Sequence, residues 1–357
     1  MYTVSSPPKH ASKKSMQNWV LSGMGIGLLV LAVFSVTIGA FPVSIQNTLS
    51  VLLNQLGLPI HWHSTQEANV LWHIRIPRIL LALLVGGGLG VSGAALQGLF
   101  RNPLVEPGLI GVSSGGALFA VVFIVFGSLF PWALNLFGSL GLPLFAFVGG
   151  LVNVLLVYHL ANHGGRTDIS LLILAGVALT ALSGALIGLS LFYADEAALR
   201  NFTFWSLGDV GGADWGKVQI GLLFILIPSF AIVFQYRNLN ALALGENEAF
   251  HMGVSVQRVK YTILFLSALT VGVGVSMTGT IGFVGLIVPH LIRLKFGADH
   301  RLVLPGSFLL GAGLLTGADL LARTLVMPAE LPIGIITAIL GSPFFIWLII
   351  NVKKIRT

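Results

Sequence analysis

The sequence predicts an all-α polytopic membrane protein of about ten transmembrane helices, on three observations. First, 9% of the 357 residues are Asp, Glu, Lys or Arg and 55% are hydrophobic. A soluble domain carries roughly 25% charged residues, and so few could not cover a water-facing surface of this size. Second, those charges are bunched, leaving long intervals with none, and the mean hydropathy is +0.94. Third, the apolar runs lack the two-residue alternation of a barrel strand, so backbone in hydrocarbon must pair within helices. This composition excludes a soluble enzyme, a disordered chain and a nucleic-acid-binding protein. The absence of Cys excludes disulfides and thiolate chemistry.

A span needs ~20 residues free of uncompensated charge. The charge-free intervals are 15–66, 79–100, 107–165, 169–194, 218–236, 261–292, 302–318 and 331–352. The first holds one span from about Trp19 to Ala40, too long for the core of a signal peptide, followed by a polar-aromatic loop. The interval 107–165 holds two spans, separated around Pro131, Asn135, Gly138, Gly141 and Pro143. The interval 261–292 also holds two, broken at Thr278-Gly279-Thr280. The others hold one each. Residues 1–17 and 353–357 are then short tails on a single membrane domain, 18–352.

With the N-terminus inside and the spans alternating, fourteen Lys and Arg fall inside. Five fall outside: Arg75, Arg78, Arg200, Lys217 and Arg323. That asymmetry places both termini in the cytoplasm, and the net charge of +7 faces anionic headgroups. The Gly-rich spans at 85–93 and 271–279 match at an offset of 186 and enter from opposite sides, which suggests an inverted repeat. Gly88-Leu-Gly90-Val-Ser-Gly93 lies inside a span, where close helix packing explains it better than dinucleotide binding.

Two polar regions carry the functional information. At the outer end, exposed Arg75, Arg78 and Arg323 oppose the inside bias. They suit docking of an acidic external partner or snorkelling to lipid phosphates, and Asp319 stands four residues before Arg323, one helix turn away. On the inner side, about 238–258 is too polar to span. Two short helices, 241–244 and 246–252, are expected to meet at Gly245, with Gly253 as a stop. Such a pair suits either a cytosolic partner or a surface-lying loop.

Several segments together resemble the permease subunits of bacterial ABC importers for iron-siderophore complexes, heme and vitamin B12. They include Arg75-Ile-Pro-Arg78, Gly93-Ala-Ala-Leu-Gln-Gly-Leu-Phe-Arg-Asn-Pro-Leu104, Glu106-Pro-Gly-Leu-Ile-Gly-Val-Ser-Ser-Gly115, Gly282-Phe-Val-Gly-Leu-Ile-Val-Pro-His290 and Glu330-Leu-Pro-Ile-Gly-Ile-Ile-Thr337. The resemblance runs from about residue 70 to the C-terminus and implies the type II importer permease fold. It implies a second permease copy, expected to be identical, two ATPase subunits inside and a periplasmic or lipid-anchored substrate-binding protein outside.

Carried over by position, Arg75, Arg78 and Arg323 would meet acidic residues of the binding protein. Leu244, Gly245, Glu246, Ala249 and Gly253 would contact the ATPase. Asn102, Leu104, Ile169 and Ser170 would lie near the cytoplasmic gate, with Ile169 replacing a more usual small polar residue. No catalytic residue, metal site or cofactor is expected on this chain, since ATP and Mg²⁺ would sit on the ATPase. The implied function is import of heme or a ferric siderophore across the bacterial inner membrane by alternating access. A vitamin B12 permease is the alternative, with an ion-coupled secondary transporter behind it. His61, Trp62 and His63 in the first external loop are candidates for heme contact, although an aromatic belt explains them as well.

Overall fold

The structure is a computed structural model. It describes residues 9–39, 41, 43–55, 57–58, 64–129, 131, 136–163 and 166–356. Among the described residues eight helices are long and apolar enough to cross a membrane: α1 (Lys9–Thr37), α3 (Thr65–Phe100), α4 (Val112–Phe126), α5 (Gly141–Ala161), α6 (Ile169–Phe192), α8 (Trp215–Phe234), α11 (Val256–Thr278) and α13 (His300–Ala322), and the shorter α12 (Val284–Phe296) and the apolar α14 (Ile333–Arg356) complete the bundle. The connections hold α2 (Ile45–Gln55), α7 (Glu196–Ser206), α9 (Tyr236–Leu244) and α10 (Glu246–His251). A two-residue antiparallel ladder pairs Asn162 with Thr167 ahead of α6.

The helix α3 is the centre of the bundle. From Pro77 to Phe100 every residue except Leu80 and Leu83 is buried, which fits a helix that is apolar all round. Its glycines make this possible. A Cβ on Gly86 would strike the Gly311 carbonyl of α13, one on Gly90 the Ser307 carbonyl, and one on Gly93 the Gly285 carbonyl of α12. Among lipid tails there is little hydrophobic drive between helices, so close backbone approach supplies the packing energy. The same device joins α4 to α5, where Gly115 and Gly149 face each other's carbonyls.

The expected breaks fall where the glycines and prolines put them. Positive φ at Gly279 and at Phe283 (71° and 69°) turns the chain from α11 into α12. The loop 207–209 pins this end of the bundle. Its Asp209 N–H donates to Thr278 O at 2.7 Å, while Gly208 O accepts from Ile333 N–H at 2.9 Å.

Two details differ from expectation. α12 has 13 residues, or ~20 Å of helix, so it is shorter than a full span. The first loop contains α2, which packs Val51 against Val43 and Leu71 in a small separate core. The stretches 85–93 and 271–279, expected to form an inverted repeat, lie inside α3 and at the C-terminal end of α11. The residue-level match weakens beyond the glycines, since Pro103 lies in a loop and Pro289 lies inside α12.

Candidate functional site

The bundle has two polar ends. One gathers the start of α3, the end of α13 and the start of α14, and is called the arginine end. Here Arg78 donates from Nε to Asp319 Oδ1 at 2.9 Å and from Nη1 to Glu330 Oε2 at 2.8 Å. Arg323 stands 3.6 Å from Asp319 Oδ2, the expected one-turn pair, and Nη2 donates to the carbonyl and hydroxyl of Ser35 in α1. Arg75 donates to the carbonyls of Val36 at 2.8 Å and Thr37 at 3.1 Å, and also to that of Phe41.

The expectation of three exposed arginines is therefore corrected. Arg75, Arg78 and Arg323 are 5%, 7% and 6% exposed, because each finds carboxylates or carbonyls within the chain. A buried guanidinium without such partners would be prohibitively costly. The half-exposed member of the cluster is Glu330, whose side chain is 48% exposed. Beside it opens a cavity of about 300 Å³ lined by Trp205, Asp209, Lys217, Met277, Glu330 and Pro332. His61, Trp62 and His63 lie outside the described residues. Their neighbours are engaged locally: Glu67 closes a capping box with Ser64, and Trp72 packs on Trp215 with ring centroids 4.9 Å apart.

The opposite end gathers α9, α10 and the starts of α6, α11 and α13. The two short helices meet at Gly245 as expected, with φ 140° there and 84° at Gly253. Leu244, Phe250 and Met252 are 67%, 69% and 63% exposed, an apolar patch on a polar loop. Ala249 is fully buried, which removes it as a surface contact; it faces the bundle because one side of a helix this short must pack inward. Phe250 was missed in the sequence, where no spacing rule separates an outward Phe from a core one.

Of the four gate candidates, Asn102 and Leu104 are exposed on the turn after α3. The Asn102 side chain accepts from Leu104 N–H at 3.0 Å. Ser170 is exposed in the first turn of α6, capped by Asp168 at 2.7 Å, and Ile169 packs partly into the core. Both pairs lie at the α9–α10 end. Beyond Leu104 the chain re-enters the bundle, where the buried Gln97 amide holds the carbonyls of Val105, Gly285 and Leu286 at 3.2–3.3 Å. Glu106 accepts from the N–H of Phe283 at 2.9 Å. Among the described residues no group of three His, Cys, Asp or Glu is placed to hold a metal.

Comparison with known proteins agrees with this architecture. The family model described as the FecCD transport family matches residues 27–351. The hemin transport system permease protein HmuU of Yersinia pestis is 42% identical over 334 residues, covering 92% of this chain and 95% of the relative. The vitamin B12 import system permease protein BtuC of Escherichia coli is 42% identical over 300 residues, covering 83% and 88%. A solved structure described as an inward-facing conformation of a metal-chelate type ABC transporter superposes with a TM-score of 0.80 at 34% identity, covering 94% of this chain and 99% of that one. With a family match over nine-tenths of its length and relatives at this identity, the chain belongs to the FecCD transport family.

Proposed function

We propose that this chain is the permease of an ATP-driven importer whose cargo is an iron chelate, heme or a ferric siderophore. The observation that carries the cargo is the 42% identity to a hemin permease over 92% of the chain. The equal identity to a vitamin B12 permease, over 83%, supports cobalamin as the second reading. Either cargo passes by alternating access, with partners that bind one state better than the other shifting the populations.

In this reading the α9–α10 end faces the cytoplasm of a bacterial inner membrane, with both termini, following the excess of Lys and Arg on that side. Leu244, Phe250 and Met252 offer an ATPase subunit the apolar anchor that an interface core needs. ATP and Mg²⁺ are bound and used there rather than on this chain. The arginine end faces outward. Arg78 is its docking residue, since its half-exposed partner Glu330 can give way to a carboxylate of a binding protein. Arg75 and Arg323 hold the cluster to α1 behind it. A second, identical permease copy completes the pathway along α6 and α14.

The test is ligand binding by the purified complex with its binding protein, using heme, a ferric siderophore panel and cobalamin. Retention of heme or a ferric siderophore supports the reading, and retention of cobalamin alone replaces it with the second.

A further inference from the structure

The two halves of the α9–α10 segment are tied to different parts of the bundle. α9 is anchored to the start of α13. Asn240 Nδ2 donates to Asp299 Oδ1 at 2.9 Å, and Asn240 Oδ1 accepts from His300 N–H at 3.0 Å. The buried Leu239 and Leu242 fix the same half to the core. α10 is held differently. Both carboxylate oxygens of Glu246 pair with Lys260 Nζ, at 2.8 and 2.9 Å. Lys260 Nζ also donates to Thr167 O at 3.3 Å, while Gln257 Oε1 accepts from Thr167 N–H at 3.1 Å. Thr167 immediately precedes Asp168, the N-cap of α6.

Lys260 is 4% exposed. A buried ammonium is weak evidence of added stability, since an apolar residue of similar volume often serves a core as well. Its three donors do something an apolar residue cannot: they join the first residue of α10 to the backbone just ahead of α6. Between the two anchored halves stands Gly245 at φ 140°, ψ 155°, a region open essentially to glycine alone.

We propose that Lys260 is a positioning residue that carries displacement of α10 to the start of α6, where Ile169 and Ser170 stand, and that Gly245 lets α10 move against the anchored α9. This rests on the reading of α9–α10 as the ATPase-docking segment. The ion pair makes α10 and the Thr167 turn one mechanical unit, and the α9 anchors keep α13 out of it. Motor force therefore reaches the start of α6 through Lys260 in the first turns of α11, and not through the α9 anchors on α13.

The test uses the full complex of permease, ATPase and binding protein in lipid nanodiscs and proteoliposomes. The chain has no native cysteine, so spin-label pairs can be introduced as R237C/N247C, across Gly245, and N247C/L171C, from α10 to α6. With Lys260 in place, the first distance should change between the nucleotide-free and the ATP-vanadate-trapped states while the second stays fixed. In K260M the second should also vary. Transport per ATP hydrolysed should fall about tenfold, the scale of coupling changes along such a link, while hydrolysis itself persists and K260R restores coupling. A fixed 237–247 distance with a variable 247–171 distance, or K260M with wild-type coupling, overturns the proposal. Should K260M fail to assemble, the distances in the chain that keeps Lys260 decide alone. Failure of the ATPase to copurify even then removes the docking reading itself, an outcome distinct from a broken relay in an intact complex.

Discussion

Arg78 and Asp319, 241 residues apart in sequence, are joined by two contacts from the guanidinium to one carboxylate oxygen, at 2.8 and 2.9 Å. The pair closes α3 onto α13 at the arginine end, where Gly86 and Gly311 already bring the two backbones together. Both side chains are buried, 8% and 1% exposed, so the pair holds only while both members are present.

Removing Asp319 should therefore be worse than removing the pair. Asp319→Ala leaves Arg78 with Glu330 alone and Arg323 with Ser35 alone, and should cost about 3–5 kcal/mol, whereas Arg78→Met with Asp319→Leu should cost less, since only Arg323 then stays buried without its carboxylate. Thermal unfolding of the detergent-purified protein measures both. Equal destabilisation by the single and double variants would show that the charges are already solvated in the native state.

Glu330 holds Arg78 from the half-exposed side, and a docking protein must compete with it. Glu330→Gln should tighten binding-protein affinity several-fold by weakening the internal competitor, and Arg78→Glu should weaken it at least as much. Isothermal titration with the cognate binding protein reads the effect. Unchanged affinity in both variants would mean that docking uses other residues.

The exposed trio on α9–α10 should behave as an interface core. Phe250→Asp is expected to cost about 2 kcal/mol of ATPase binding, as a desolvated aromatic anchor does, while leaving the permease folded. Ala249→Asp, at a fully buried position, should instead destabilise the segment itself. Copurification of the ATPase and thermal stability of the isolated permease separate the two effects.

Glycines at helix crossings and glycines at the open face should differ sharply. Gly86→Ala places a methyl against the Gly311 carbonyl, whereas Gly184→Ala in α6 meets nothing within 4 Å. The first should cost about 1–3 kcal/mol through forced separation of α3 and α13, and the second should be neutral or slightly stabilising. Melting temperatures of the two variants provide the comparison.

Much of this could be read from the residues alone, because a membrane imposes a strong one-dimensional rule. The charge-free interval 169–194 marks α6, and Gly245 with Gly253 marks the α9–α10 pair. The turn from Asp319 to Arg323 also follows from helical spacing. The misreadings involve partners far along the chain. Nothing local to Arg78 points to Asp319 or Glu330, and nothing local to Arg75 points to the carbonyls of Val36 and Thr37. An arginine at a membrane boundary therefore looks exposed when it is not. Lys260 is hidden in the same way: by position it is one more inner-side base, and only its contacts with Glu246 and Thr167 distinguish it. α2 escaped because Asn47, Thr48, Ser50 and Asn54 make its polar face conspicuous and its apolar stripe short.

Import of an iron chelate with force supplied by ATP unites the roles proposed for the two ends of the bundle. It is tested most directly by uptake of radiolabelled heme and ferric siderophores into proteoliposomes containing the permease, its ATPase and its binding protein. The expected result is accumulation that requires ATP and the binding protein and is indifferent to a proton gradient. Uptake driven by an ion gradient without the ATPase, or ATP-dependent uptake of cobalamin with none of heme or ferric siderophore, would contradict it.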